Sequence, residues 1–333
     1  MSVPGDRRSA KERRRAERHT WPPAPEPLPS PVVDDHTHLD SIHHVLGGVA
    51  PGGTWEPGDG LDAVPVPTVG EHLARAAAVG VTRMVTVGCD LDAVAFTDAV
   101  VREHDALVGA VAIHPNEAVL HAGVHEVGPD GLEPDPQERH AVSLDDAIAR
   151  VADVARSNPR VRAIGETGMD LFRTGERGAA AQRASFRAHL ALARELDLPV
   201  QIHDRDAHAE VVDVLLRDGA PERTVFHCFS GDAGLARLAA QHGWYLSFAG
   251  PLTFGANDAL RAALAVTPLD HVLVETDAPY LTPHPYRGRP NAPYLLPHTV
   301  RAVADVLGPV LGLSLVDVCE ALSRTADTVY GSW

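Results

Sequence analysis

Two histidines separated by one residue, His36 and His38, form the first motif in this sequence that could bind a metal ion. In an extended strand, residues i and i+2 point to the same face, so the two imidazoles would lie side by side, about 6–7 Å apart at the backbone. Imidazole nitrogens are suitable ligands for zinc, nickel or iron. Asp34 and Asp35 precede the pair, and either could accept the second ring N–H of a ligating histidine. The motif therefore predicts a site for a divalent cation.

Five more side chains of this kind stand where apolar runs of the sequence end: His114, Glu166, His203, His227 and Asp277. A carboxylate such as Glu166 can bridge two ions, which a histidine cannot do. Asp277 could both bind a metal and accept a proton from a water molecule. Together with the first pair, Glu166, His203, His227 and Asp277 suffice for two divalent ions (Mg²⁺, Mn²⁺ or Zn²⁺) with positions left open for water and substrate. Open positions are typical of catalytic sites, so the set predicts a metal-dependent hydrolase.

Lysine is almost absent, because Lys11 is the only lysine among 333 residues. Some barrel hydrolases bridge two metals with a carbamylated lysine, and the folded part of this chain offers none. Either a carboxylate forms the bridge or the second metal is missing. The carbamate-dependent amidohydrolases are thereby excluded.

Eight short apolar runs are predicted to be the strands that position these residues. The runs cover residues 32–36, 83–88, 107–114, 162–166, 199–203, 224–229, 245–250 and 272–277. Amphipathic stretches between them predict helices, and near-continuous apolar strands alternating with helices indicate an α/β protein with a parallel sheet. We expect a (β/α)₈ TIM barrel of the metal-dependent hydrolase type, whose strand ends converge on one catalytic face. A single barrel domain over residues 32–333 would carry loop insertions at 41–68 and 116–142.

The charge of the chain is unevenly distributed. The formal net charge is −16, yet residues 7–18 hold seven basic and two acidic residues, a balance of +5 that leaves −21 for the rest. We expect residues 1–31 to be a disordered basic and Pro-rich arm, because such a composition buries little apolar surface. The basic segment 7–18 is a candidate contact for nucleic acid or a partner protein, with a solvated tail as the alternative. A body this acidic opposes extended binding of polyphosphate unless something local reverses the field.

The cysteines and the apolar patterning exclude several other classes. Cys89, Cys228 and Cys319 are odd in number and widely spaced, which predicts neither a disulfide framework nor a thiolate zinc site. Neither a signal sequence nor a membrane-spanning apolar run is evident. We therefore expect a cytoplasmic enzyme without membrane contact. Cys228 is expected to face the helices, because neighbouring residues of a strand point to opposite sides.

A series of motifs in chain order resembles the TatD family of metal-dependent hydrolases and deoxyribonucleases. The motifs are DDHTHLD at 34–40, AIHP at 112–115, GETGMD at 165–170, QIHDRDA at 201–207, FHCFSG at 226–231, ETDAPYLTP at 275–283 and RGRPNAP at 287–293. The resemblance extends from about residue 32 to 330. It implies a (β/α)₈ barrel with two divalent ions that acts on phosphodiesters, often at DNA ends.

The resemblance also implies roles for individual residues. One ion would be held by His36, His38, Glu166 and Asp277, and the other by Glu166, His203 and His227. Asp277 would be the general base, which with Glu166 forms the catalytic pair.

Two further residues are candidates for binding the substrate, namely His114 and Arg205. Arg205 directly follows the fifth predicted strand, and a planar guanidinium can hold a phosphate through two hydrogen bonds. Both side chains are therefore expected to contact a phosphate oxygen.

The sequence leaves alternatives open. The same metal site could hydrolyse a small amide, lactone or phosphoester, because a fold does not fix its substrate. A non-catalytic metal-binding scaffold is a second alternative, although a scaffold needs no open coordination positions. The identity of the metal, the choice between DNA, RNA and a small substrate, the polarity of cleavage and the oligomeric state are not determined by the sequence.

Overall fold

Eight parallel strands in sequential order form the centre of the computed structural model, which describes residues 18–42, 48–56 and 63–333. The described strands are β1 (Val32–Thr37), β2 (Thr54–Trp55), β3 (Val64–Pro65), β4 (Val81–Gly88), β5 (Leu107–Val111), β6 (Val161–Asp170), β7 (Val200–Arg205), β8 (Thr224–Phe226), β9 (Tyr245–Phe248) and β10 (Val272–Val274). All except the β2–β3 hairpin belong to the barrel sheet. The predicted (β/α)₈ barrel is confirmed, and each of the eight predicted strands is present.

The chain that follows β10 closes the barrel against β1. The amide of Asp277 donates to the carbonyl of His36 at 2.9 Å, and the amide of His38 donates to the carbonyl of Ala278 at 2.7 Å. Closure therefore joins the two segments that carry the histidine pair and the last predicted carboxylate.

Helices cover the outside of the barrel. The described helices are α1 (Val69–Ala77), α2 (Leu91–Glu103), α3 (Pro115–His121), α4 (Leu144–Ser157), α5 (Glu176–Leu196), α6 (His208–Asp218), α7 (Ala233–Gln241), α8 (Asp258–Val266), α9 (Leu296–Leu311) and α10 (Leu315–Tyr330). Several start at the side-chain caps that the sequence offers, such as Thr68, Asp90 and Ser143. These caps satisfy backbone amides that a helix leaves unpaired in its first turn.

Helix α10 covers the N-terminal end of the barrel. Its last residue, Tyr330, reaches the barrel interior, where its hydroxyl donates to Asp35 Oδ2 at 3.0 Å and accepts from Gln201 Nε2 at 2.8 Å. Arg162 at the start of β6 donates to the carbonyls of Tyr330 and Ser332. With this end covered, the opposite end is the face that carries the predicted functional residues.

The described parts of both predicted insertions lie on that opposite face, since each insertion follows the C-terminal end of a strand. The first contains the β2–β3 hairpin, while its residues 43–47 and 57–62 lie outside the described residues. The second was predicted as an irregular loop, but it begins with helix α3, for which Pro115 at the first position and the preceding His114 as cap provide the start.

Residues 18–31, here called the strap, pack against the barrel, so the expectation of a disordered arm is wrong for them. Leu28 is buried in the main core, and its amide donates to the carbonyl of Val79 at 3.0 Å. Prolines restrict the unfolded chain, so ordering this segment costs less entropy than its polar composition suggested. Residues 1–17, which include most of the basic segment, lie outside the described residues.

No single helix of the described ranges is long and apolar enough to cross a membrane. One bent pair, Pro293–Leu311 with Leu315–Tyr330, meets the criteria of length and composition together, with an angle of 108° between its members.

Candidate functional site

All the predicted metal-binding side chains converge at the C-terminal ends of the barrel strands. His36 lies in β1 and His38 directly follows the same strand, while Glu166 and His203 lie in β6 and β7. The two remaining members, His227 and Asp277, follow β8 and β10. Every one of the six is buried or nearly so. The positions at strand ends thus bring the six side chains together in one cluster.

The carboxylate of Glu166 lies between two groups of imidazole nitrogens. Its Oε2 is 3.5 Å from His36 Nε2 and 3.7 Å from His38 Nε2. Its Oε1 is 2.8 Å from His227 Nε2 and also contacts His203 Nδ1. One carboxylate therefore faces a different pair of ring nitrogens with each oxygen.

Asp277 completes the group on the Oε2 side. Its Oδ1 is 3.4 Å from His38 Nε2 and 3.9 Å from His36 Nε2. Asp277 has a φ of 51°, a left-handed conformation that is unfavourable for a residue other than glycine. Hydrogen bonds from its amide to His36 and from the Tyr280 amide to its carbonyl hold this backbone in place. Such strain at a cluster of polar groups is typical of functional sites.

Three of the four histidines have an acceptor beside the ring nitrogen that points away from the cluster. His38 Nδ1 lies 3.2 Å from the Val87 carbonyl, His227 Nδ1 lies 3.2 Å from Glu275 Oε1, and His203 Nε2 lies 3.3 Å from Asp170 Oδ2. An acceptor at the outer nitrogen favours the tautomer that directs the lone pair of the inner nitrogen into the cluster.

The cluster therefore fits a cation. Lone pairs of three imidazoles would point at carboxylate oxygens, which is unfavourable unless positive charge lies between them. His36 Nε2 and His38 Nε2 are only 3.2 Å apart and face the same centre. Donor atoms of His36, His38 and Asp277 all lie within 4.8 Å of one another, as do those of His36, Glu166 and His227.

The electrostatics of the cluster point the same way. Burial opposes the charged form of His38, but Asp277 and Glu166 outweigh it and raise its pKa to about 9. Burial likewise opposes protonation of His203, whose pKa is nevertheless raised to about 9 by Glu166 and Asp170. The pKa of Glu166 is held well below its ordinary value despite burial, because His227, His114 and His203 stabilise its negative charge. The carboxylates thus attract positive charge strongly, whether it comes as protons or as metal ions.

His114 is oriented as a hydrogen-bond donor toward the cluster. Its Nδ1 accepts from the amide of Asn116 at 3.1 Å, so the neutral ring carries its proton on Nε2. That Nε2 lies 3.5 Å from Glu166 Oε1. His114, Glu166 and His203 also form one of the groups whose donor atoms lie within 4.8 Å. The protonated Nε2 suits a contact with a substrate oxygen better than a bond to a metal.

Arg205 is exposed at the rim of the same face. Its guanidinium carbon lies 4.2 Å from the Phe172 ring, a cation–π arrangement that orients the side chain. Arg205 lies on β7 two residues after His203, and its backbone pairs with that of Asp170 on β6. The guanidinium is therefore exposed to solvent while its stacking on Phe172 orients it.

Two carboxylates that the sequence analysis missed support the histidines. Glu275 is fully buried and accepts from the Cys228 amide at 2.7 Å in addition to lying beside His227. Asp170 is buried beside His203 and accepts from Asn116 Nδ2 at 3.1 Å. Each is a short distance along the chain from a predicted ligand, two residues before Asp277 and four after Glu166. Their closeness in sequence to a predicted ligand at a strand end is the signal that could have identified these two carboxylates.

The expectation that Asp34 or Asp35 would orient His36 or His38 is wrong. Asp34 accepts from the amide and hydroxyl of Thr276, and Asp35 accepts from Ser247 and Tyr330. The register of β1 against β4 shifts between Asp34 and Thr37, so regular strand alternation does not describe how these side chains are directed. Burial raises the pKa of Asp34 to about 8, against the effect of the Thr276 hydrogen bonds.

Two cysteines lie near the cluster, and one of them, Cys228, was expected to face the helices. Strand β8 ends at Phe226, so alternation does not govern Cys228, which has a φ of 43° and bonds to Glu275 through its amide. Cys89 follows β4, and its Sγ lies 3.5 Å from Glu166 Oε2. Burial raises the pKa of the Cys89 thiol well above its ordinary value, and Glu166 adds to this effect. The thiol thus donates to the carboxylate as a neutral group.

A second group of metal-capable side chains, Glu117, His121 and His140, was not predicted. Glu117 Oε2 lies 2.8 Å from His140 Nε2 and 2.7 Å from Arg139 Nε. His140 Nδ1 accepts from the Gln137 amide at 2.7 Å, so its Nε2 carries a proton. A protonated nitrogen and an adjacent guanidinium oppose a metal ion. The group instead fastens the later part of the second insertion to helix α3, with which the insertion begins.

A glycine is required where β6 meets β7. Gly168 has a φ of +144°, and a Cβ at this position would lie 2.1 Å from the carbonyl oxygen of His203. Gly168 thus allows the close approach of the two strands that brings His203 to Glu166.

Comparisons with known proteins agree with this geometry. The family model described as TatD related DNase matches residues 33–331. A relative from Mycobacterium tuberculosis named as an uncharacterized metal-dependent hydrolase TatD is 37% identical over 280 residues, which cover 83% of this chain and 90% of that protein. A Cronobacter sakazakii protein named 3'-5' ssDNA/RNA exonuclease TatD is 34% identical over 223 residues, covering 66% of this chain and 75% of that protein. Among solved structures, the TatD homolog YJJV of Escherichia coli K12 has a TM-score of 0.70 at 23% identity and covers 91% of this chain and 98% of its own.

Proposed function

Because the chain belongs to the TatD related DNase family of metal-dependent hydrolases, we propose that it is a phosphodiesterase that hydrolyses nucleic-acid ends, as a deoxyribonuclease. The observation that carries the proposal is the position of Glu166, whose two oxygens face two different pairs of imidazole nitrogens. The relative named as a 3'-5' ssDNA/RNA exonuclease supports a single-stranded substrate.

The residues present would hold two divalent ions with one shared carboxylate. His36, His38, Glu166 and Asp277 would hold the first, and Glu166, His203 and His227 the second. Two such ions supply Lewis-acid stabilisation for the attacking and leaving oxygens of an in-line displacement at phosphorus. Mg²⁺, Mn²⁺ and Zn²⁺ are the candidates, because nitrogen and oxygen ligands suit each of them.

The side chains around the cluster would divide the remaining work. Asp277 lies at the edge of the ligand group and would accept a proton from the attacking water. His114 would donate its Nε2–H to a non-bridging phosphate oxygen, and Arg205 would bind the same phosphate from the rim. The buried acceptors Glu275 and Asp170 would keep the imidazoles of His227 and His203 in one tautomer.

We also propose that the protein acts in the cytoplasm, where nucleic-acid ends are available. A metal-dependent hydrolase of a small amide, lactone or phosphoester stays the competing function, since the fold serves many substrates. A non-catalytic scaffold is less consistent with a cluster whose histidines are oriented inward by buried acceptors.

A substrate panel tests the proposal. The purified protein is assayed with Mg²⁺, Mn²⁺ or Zn²⁺ on single-stranded DNA with one labelled end, duplex DNA, RNA, a small phosphodiester and a lactone. We expect metal-dependent removal of nucleotides from single strands and no lactone hydrolysis. Asp277→Asn keeps the shape of the side chain but removes the proton acceptor, so it should lower kcat by about 10²–10⁴-fold. Asp153→Asn, an exposed aspartate of helix α4, is the matched control. Lactone hydrolysis without nuclease activity, or full activity of Asp277→Asn, would overturn the proposal.

A further inference from the structure

Tyr280 is the only aromatic residue of the chain that is exposed. All Phe, Tyr and Trp residues lie in the described ranges, and each of the others is buried or partly buried, whereas the exposed fraction of Tyr280 is 52%. The next residue, Leu281, is also exposed, with a fraction of 38%. An aromatic ring gains much free energy from burial, so a ring left open beside a polar cluster indicates a surface that binds something.

The exposed ring borders the half of the cluster that would hold the first ion. The rings of Tyr280 and His38 are nearly perpendicular, at 70°, and their centroids lie 5.9 Å apart. The Tyr280 amide donates to the carbonyl of Asp277 at 2.8 Å. Tyr280 thus adjoins two of the predicted ligands, one through its ring and the other through its backbone.

The backbone that carries this surface is held from both sides. Asn291 is fully buried, and its Nδ2 donates to the carbonyls of Thr276 and Tyr280. On the other side, the loop after β9 packs so closely that a Cβ at Gly250 would lie 2.0 Å from the carbonyl oxygen of Leu281. A surface that is already ordered can orient a ligand at little cost in conformational entropy.

The charges around Tyr280 favour an uncharged ligand at this position. Burial and then the negative charges of Asp277 and Asp40 raise the pKa of the Tyr280 hydroxyl to about 12. The ring is therefore neutral at physiological pH and stands among acidic groups. Such surroundings oppose a phosphate and accept a planar, uncharged group.

The cationic side of the same face lies elsewhere. Arg205 is at the end of β7, which β8 and β9 separate from β10 in the sheet. Its guanidinium covers the ring of Phe172, and that of Arg287 covers Phe254 with 5.5 Å between the guanidinium carbon and the ring centroid. These two rings already have cationic partners, whereas the ring of Tyr280 is open.

We propose that Tyr280 stacks against the base of the nucleotide whose phosphodiester lies at the cluster. The inference rests on the proposed function for its substrate class. Every base has a π-face, so stacking on Tyr280 selects for the presence of a base and not for its identity. The end of a strand is then held at two places, with its base on Tyr280 and its phosphate at the cluster and Arg205.

The test compares two single strands of about 10 nucleotides that differ only at the end from which the protein degrades them. One strand ends in a complete nucleotide, and the other ends in an abasic nucleotide, which keeps the sugar and the phosphate. The ratio of kcat/KM for the two strands is measured with metal for the wild type, Tyr280→Ala and Tyr280→Phe. Leu216→Ala is the matched control, because Leu216 lies on the outer helix α6 with a similar exposed fraction of 51%.

We expect the wild type to favour the complete end by about 10–100-fold, the effect of one base stacked on an aromatic ring. Tyr280→Ala should lower this ratio to about 1, because only cleavage of the complete end is slowed. Tyr280→Phe keeps the π-face and should keep the ratio, as should Leu216→Ala. The ratio compares two substrates of one protein, so a smaller fraction of active protein does not change it.

A ratio that Tyr280→Ala leaves unchanged would overturn the inference. Equal slowing of both strands would show that Tyr280 only supports the neighbouring His38 and contacts no base. Loss of the preference in Tyr280→Phe would also overturn it, because the hydroxyl and not the ring face would then be responsible.

Binding is measured separately, so that the inference is tested without turnover. Both strands are prepared with phosphorothioate linkages at the end, which slow hydrolysis, and their Kd values are compared by fluorescence anisotropy with Mn²⁺. A preference for the complete end that Tyr280→Ala abolishes, without hydrolysis of any nucleic acid, would support stacking and overturn the proposed function. Hydrolysis of nucleic-acid ends without such a preference would support the proposed function and overturn stacking.

Discussion

Glu166 is the residue on which both halves of the site depend. Its burial would disfavour a charged carboxylate, yet surrounding histidines hold its pKa well below the ordinary value. Glu166 is surrounded by imidazoles, and Val87, Asp170 and Glu275 orient three of these rings. The carboxylate and the rings therefore have little freedom to move. Preorganisation of this kind is what a hydrolytic metal site requires.

Glu275→Gln tests whether the buried acceptor behind His227 tunes its ring. The amide side chain keeps the shape and can still accept from the Cys228 amide, but it lacks the charge that makes the imidazole more basic. We expect metal affinity to fall by about tenfold, measured by competition with a chromophoric chelator. Glu320→Gln, an exposed position on α10, should bind metal as the wild type does. Unchanged affinity in Glu275→Gln would show that the supporting carboxylate has no role in metal binding.

Arg205→Gln tests substrate binding at the rim. A hydrogen bond to a charged phosphate contributes about 1.5–3 kcal/mol, so KM for single-stranded DNA should rise by about 10–100-fold. The metal content should stay at the wild-type level, because Arg205 lies outside the ligand group. Arg217→Gln on the neighbouring helix α6 is the control, since its guanidinium pairs with Asp213. A fall in kcat at constant KM would contradict a binding role.

At the scale of elements, helix α5 fixes the segment that carries His114. His189 is fully buried in α5, with Nδ1 2.8 Å from the Ser185 carbonyl and Nε2 accepting from the Ile113 amide at 3.2 Å. This neutral ring joins the helix to the residue that precedes His114. Burial lowers its pKa to about 4, against a smaller opposite effect of the Ser185 hydrogen bond.

His189→Gln tests this contact through pH. The pKa falls from 6.5 in the unfolded chain to about 4 in the folded protein, so the unfolded state binds more protons between these values. The contribution of His189 to stability is therefore complete above pH 6.5 and is lost as the pH falls toward 4. Acidification from pH 7.5 to 5.5 should cost the wild type about 1.4 kcal/mol more of unfolding free energy than the variant. Urea titrations at the two pH values measure the difference, and an equal loss in both proteins would contradict the assignment.

The secondary-structure elements were predictable from the sequence where consecutive residues are buried. All eight barrel strands were readable as apolar runs, because parallel strands between helices are buried on both faces. Helix α3 was missed, since its seven residues begin with a proline inside what reads as a loop. Contacts across the barrel, such as those between Asp35 and Tyr330, are separated by 295 positions and leave no local signal.

At the scale of the molecule, the sequence was more informative about the strand ends than about the strap. The positions of these side chains in the sequence predicted that they converge, because strand ends meet at one face of a parallel barrel whatever the loops do. The sequence did not predict that residues 18–31 are ordered, because their anchors are single side chains from distant loops, such as Arg289 and Tyr294. The described strap therefore adds packing to the barrel that the composition of residues 1–31 did not predict.

The account is tested most directly by metal content and DNA hydrolysis measured on the same samples of the wild type and Glu166→Gln. If Glu166 joins two ions, the wild type should bind about two divalent ions per chain and degrade single-stranded DNA. Glu166→Gln should lose most of the bound metal and at least about 10³-fold of the rate while keeping its fold by circular dichroism. A Glu166→Gln protein that retains both its metal and its nuclease activity would contradict the account.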